Sequence, residues 1–131
     1  MIYQTELVIP PNTPVYAPVE GTLGVTVGVV TRVWVRWRWG AGSLCGVKIF
    51  REALQVWPTS LGLWFPSTTH DTTWEENYHV ADVPLEFVIR AYNLDDTFSH
   101  KVYIAVNVQR PSVNQNVQDF LDFLAHGGTN G

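Results

Sequence analysis

With one cysteine, one methionine and only 15% charged residues, this 131-residue chain is defined first by what it has little of. A lone cysteine, Cys45, excludes an intramolecular disulfide, and with it the disulfide-dense secreted scaffolds. Its neighbours Leu44, Gly46 and Val47 lead us to expect a small buried hydrophobe there. Charge well under the usual share of about 25% leaves much of the surface apolar or neutral, which favours assemblies over a solitary monomer. A net charge of −4 supplies no basic footprint, so no nucleic-acid partner is expected. No apolar run approaches the ~20 residues that span a bilayer, so no membrane partner is expected either. The opening residues Met1 to Glu6 have no basic region and no long apolar run, and no signal peptide is expected.

Catalytic signatures are missing too. None of Ser43, Ser60, Ser67, Ser99 and Ser112 lies in a GxSxG elbow, and the neighbours Ser99 and His100 point to opposite faces if they lie on a strand. His70, His79, His100 and His126 form no i, i+4 pair and have no CxxC partner, so no zinc site is expected. His70, Asp71, Glu75, Glu76, His79 and Asp82 are the densest set of metal-type ligands, but a loop and a short strand scatter such side chains over two faces. Asn93, Asp95 and Asp96 are calcium-type oxygens that also suit a hairpin turn, where Asn and Asp bond to nearby backbone. The expectation is a non-enzymatic protein with no catalytic, cofactor-binding or metal-ligating residue.

What the chain does have is aromatic residues and two-residue periodicity. Residues 31–39, TRVWVRWRW, alternate as a β-strand does. Thr31, Val33, Val35, Trp37 and Trp39 form a core face; Arg32, Trp34, Arg36 and Arg38 form the other. A Trp bracketed by Arg is what contact surfaces are enriched in. Of the six tryptophans, Trp37, Trp57 and Trp74 are assigned to the core, where each buries about 150–250 Å². Trp34, and Trp64-Phe65 in a loop, are candidate contact residues, able to anchor a protein interface or stack on a sugar ring.

Residues 3–9 predict a first strand stopped by Pro10-Pro11. The proline-rich residues 10–21 predict an extended arm or an edge strand, because proline removes ladder donors. Further strands are predicted over 22–27, 29–39, 44–51, 53–57, 74–78, 85–92 and about 102–108. A turn at 40–43 is taken to make a hairpin of its flanking strands. About eight short strands at regular spacing indicate an all-β, antiparallel two-sheet sandwich, jelly-roll-like. The division is a β-sandwich domain over 1–110, including the arm, and a 111–131 tail. In that tail Ser112 and Gln115 form a capping box, and Val113, Val117, Phe120, Leu121 and Leu124 recur at helical spacing, predicting a short amphipathic helix with a flexible end after Gly127-Gly128. Such a helix is marginal alone and must dock on its own sandwich or on a neighbour.

The stretches GVVTRVWV (28–35), GSLCGVKI (42–49), VWPT (56–59), WEENY (74–78) and AYNLDDTFSH (91–100) resemble small β-sandwich virion proteins of tailed bacteriophages, of the capsid-decoration or auxiliary type. The likeness covers residues 2–109 and rests on turns and core positions. It implies a capsid-decoration (cement) protein, self-associating as a homotrimer on the major capsid protein or another virion protein, and assembled in the bacterial cytoplasm. On that view Arg32, Trp34, Arg36 and Arg38 form one contact face, and residues 10–20 and 112–125 reach neighbouring chains. The alternative is a carbohydrate- or receptor-binding sandwich module of a phage tail or cell-surface protein; a subunit of a bacterial assembly unrelated to phage is a third reading.

Overall fold

In the computed structural model, which describes residues 1–110, nine strands build two antiparallel sheets packed face to face. They are β1 (Ile2–Ile9), β2 (Val19–Gly24), β3 (Gly28–Trp37), β4 (Cys45–Arg51), β5 (Leu54–Trp57), β6 (Phe65–Pro66), β7 (Asp71–Val80), β8 (Glu86–Asn93) and β9 (His100–Gln109). The first sheet runs β1-β9-β3-β7; the second runs β2-β8-β4-β5, with β6 also paired to β4. The fold is all-β, as the alternating apolar pattern requires. The expected helix over 112–125 and the 111–131 tail lie outside the described residues.

Alternation places the core. Phe87, Ile89 and Ala91 of β8 and Val102, Ile104, Val106 and Val108 of β9 are all buried, facing Val47 and Ile49 of β4 and Val33, Val35 and Trp37 of β3. Burying each such side chain contributes about 1.5–3 kcal/mol. The aromatic end of this core is a cluster in which Trp57 lies 5.2 Å from Phe87, 5.4 Å from Tyr78 and 6.0 Å from Trp74, centroid to centroid.

Three expectations are corrected. The alternation of β3 is not continuous, because its register on both neighbours shifts between Val30 and Arg32. This irregularity leaves both Val30 and Val33 facing inward, while Thr31, expected in the core, is half-buried and is held by Asn107 at 2.8 Å. Trp39, also expected in the core, is 85% exposed, since β3 ends at Trp37; its ring stacks on His70 at 4.3 Å. Finally, β3 and β4 are not a hairpin. The 38–44 connection carries the chain from one sheet to the other, with the Leu44 N–H bonded to the Ala41 carbonyl.

Residues 10–18 form turns held against the sandwich itself: Thr13 bridges to Asn93, and the Asn12 N–H donates to the Asp95 carbonyl at 2.8 Å. The part of the proline-rich segment that does pair, β2, is an edge strand.

Candidate contact surfaces

Inward alternation on β3 dictates what faces out. Arg32, Trp34 and Arg36 lie on the outer face of the first sheet, directly opposite Glu75, Thr73 and Asp71 on β7. The guanidinium groups are therefore committed: Arg32 meets Glu75 at 3.2 Å and Arg36 meets Asp71 at 2.7 Å. What sequence alone presents as a positive stripe is a striped face with its charge compensated. Arg38, past the end of β3, is exposed, and its N–H donates to the Lys101 carbonyl. It has no ion-pair partner among the described residues.

On the β9 side, Trp34 faces Ala105, whose small side chain leaves room beside the indole. The result is an open depression of roughly 580 Å³ lined by Ile2, Gln4, Glu6, Trp34, Arg36 and Tyr103, among others. On its other side Trp34 borders a second hollow with Arg32, Glu75 and Asn107. Glu6 forms part of the first wall; the Tyr103 hydroxyl and then Lys101, 3.1 Å away, hold its carboxyl below its usual range.

Trp64 stands on the opposite outer face. It meets Tyr92 edge-on at 4.8 Å, with the Lys48 ammonium 4.2 Å from its ring centroid. The Tyr92 ring in turn lies over Gly46, where a Cβ would come within 2.5 Å of it. Trp34 and Trp64 are thus two separate surfaces. Phe65, the neighbour of Trp64, turns inward and stacks on Trp74 at 5.2 Å, so it supports the core. Val113, Val117, Phe120, Leu121 and Leu124 lie outside the described residues.

A third surface was not foreseen. Loops 10–18, 38–44 and 94–99 share one end of the sandwich, since Thr13 bridges Asn93 and Leu94 N–H donates to the Leu44 carbonyl. They expose Tyr16 at 90%, Trp39 at 85%, Phe98 at 66% and Leu94 at 51%. Exposure of this kind follows from where strands stop, which periodicity locates only to within a few residues.

Below this end lies a buried polar knot. Asn93 donates to the carbonyls of Ile9 and Phe98 and accepts from the Asp95 N–H and the Cys45 thiol. Asp95 accepts from the Thr97 and Phe98 N–H groups and contacts His100 at 2.8 Å; the Thr97 bond first, then His100, lowers its pKa. The Asn-Asp turn thus spends its oxygens on its own backbone, as turn chemistry predicts. Burial pushes the Cys45 thiol up to about 12, reinforced by the Asp95 charge, so no thiolate nucleophile is on offer at neutral pH.

Among the described residues no three His, Cys, Asp or Glu side chains converge to hold a metal. The arrangement offers recognition by aromatic and hydrogen-bonding surface. No known family model matches the chain, and no curated protein aligns with it.

Proposed function

We propose that the chain is a non-enzymatic structural protein of a bacteriophage virion, a capsid-decoration protein with a jelly-roll-like body that oligomerises on the capsid exterior and stabilises the shell. The observation that carries this reading is the aromatic end formed by Tyr16, Trp39 and Phe98, left in water by the fold. Exposed aromatic side chains on loops that share one end of a sandwich suit an association surface. The paired charges around Trp34 provide a second patch suited to a polar partner, and many copies with several modest contacts bind by multivalency. The test is the triple variant Tyr16→Ser, Trp39→Ser, Phe98→Ser, compared with wild type for sedimentation with capsids. Folded variant that no longer cosediments is the expected result; undiminished cosedimentation counts against the proposal.

A carbohydrate-binding role is the second reading, favoured by the Trp34 depression with Gln4, Glu6 and Arg36 on its walls. An indole beside amide, carboxylate and guanidinium groups suits a sugar ring. A glycan array on which wild type binds and Trp34→Ala does not would select this reading; a blank array removes it.

A further inference from the structure

A sheet edge exposes backbone N–H and C=O groups, and folded proteins shield such edges with proline, lysine, bulges or charge. The first sheet ends in β7 on one side and β1 on the other. β7 is guarded: it carries Asp71, Glu75 and Glu76, and its pairing with β3 is irregular. β1 is less guarded: its one charged residue, Glu6, is paired with Lys101 of β9 at 3.1 Å. Its sequence IYQTELVI contains no proline, lysine or glycine, and it pairs with β9 without a break from Ile2↔Asn107 to Ile9↔His100.

The direction of its free groups can be worked out. Met1 and Val108 exchange both backbone bonds, so alternation along the ladder turns the polar groups of Tyr3, Thr5, Leu7 and Ile9 towards β9. Those of Ile2, Gln4, Glu6 and Val8 point outward, and among the described residues β1 pairs with β9 alone. The side chains of Ile2 and Val8 are 58% and 47% exposed beside them.

We propose that β1 pairs antiparallel with β1 of a second copy, about a two-fold axis at Thr5, merging two four-stranded sheets into one continuous sheet. The register selects itself. With Thr5 opposite Thr5, Ile2 faces Val8 and Gln4 faces Glu6 on the outer side, while Tyr3 faces Leu7 on the inner side. Each pair is aliphatic on aliphatic, amide on carboxylate, or ring on aliphatic. Sliding by one pair in either direction sets Ile2 against Glu6 or Glu6 against Glu6. Backbone bonds from the four outward residues supply attraction, and these side-chain pairs supply specificity. The inference is independent of the virion reading, since it concerns only how two copies meet.

The experiment is sedimentation of the full chain over a range of concentrations, with four variants at two positions. Gln4→Pro deletes an outward N–H, which an edge strand tolerates, and is expected to lower the mass while leaving the circular dichroism unchanged. Gln4→Glu sets a carboxylate against Glu6 of the other copy in each of the two symmetric pairs and is expected to weaken association about tenfold, whereas Gln4→Lys preserves it. Thr5→Cys is expected to form an intermolecular disulfide on mild oxidation, since opposed residues of such a pair lie about 4.5 Å apart. A wild-type monomer throughout overturns the proposal, as does an oligomer indifferent to both positions. A monomer that associates only after removal of residues 111–131 also overturns it, by making the tail the occupant of this edge. Capsid cosedimentation reports separately on the virion role, so the two ideas fail by different readouts.

Discussion

The indole N–H of Trp57 donates to Glu76 Oε1 at 2.6 Å, tying β5 of one sheet to β7 of the other. Trp74 donates to the same oxygen at 3.1 Å, and the Asn77 N–H donates to Oε2. Burial acts to raise the Glu76 pKa, but the bonds from Trp57, Asn77 and Trp74 outweigh it and hold the carboxyl below its ordinary value.

A lowered pKa in the folded state means that the unfolded chain binds this proton more readily. Stability from Glu76 is therefore complete above the ordinary carboxylate range of about 4.3 and is lost as pH falls through the lowered folded value. Glu76→Gln is expected to cost about 1.5–3 kcal/mol at neutral pH. Urea midpoints at pH 7 and pH 3 should differ less for the variant than for wild type. Equal pH sensitivity in the two proteins contradicts the clamp.

Asn93 joins the ends of β1 and β8 to the 94–99 turn through four partners. Asn93→Ala strands the Ile9 and Phe98 carbonyls and the Asp95 N–H, and is expected to cost about 3 kcal/mol or more. Chemical denaturation measures it. A loss below about 1 kcal/mol would show that water replaces the amide.

Gly46 is required by the ring above it. Gly46→Ala forces Tyr92 and Trp64 to move together, and a destabilisation of about 1–3 kcal/mol is expected. Tryptophan fluorescence should shift, since Trp64 loses its edge-on partner. An unchanged spectrum and stability would mean that the ring swings aside freely.

Cys45 is fully buried, and its thiol is pushed to about 12. Ellman's reagent is expected to leave it unmodified in the native protein and to react fully in denaturant. Rapid labelling of folded protein would mean that the Asn93 knot opens often.

How much of this was legible beforehand depends on the kind of signal. Phe87, Ile89 and Ala91, and Val102 to Val108, announce their strands because burial on one face imposes a period of two. Trp34 could be placed on an outer face by the same rule. Which sheet a strand joins is not written in its period, so 40–43 suggested a hairpin where the chain changes sheets. Trp39 was misplaced because alternation says nothing about where pairing stops. The ion pairs of Arg32 and Arg36 depend on β7, about 40 residues away in sequence, whose register could not be read locally. The Glu76 clamp was hidden for the same reason: an acid two residues from Trp74 on its own strand gives no hint of a second indole, Trp57, waiting across the interior.

The extra residue at Thr31 gives β3 two independent halves. Without that irregularity, strict alternation from Val30 through Thr31 would rotate Val33, Val35 and Trp37 into solvent and drive Arg32, Trp34 and Arg36 into the hydrocarbon interior. By absorbing Thr31 as one residue too many, the bulge keeps the Arg32–Trp37 half of the strand right side out.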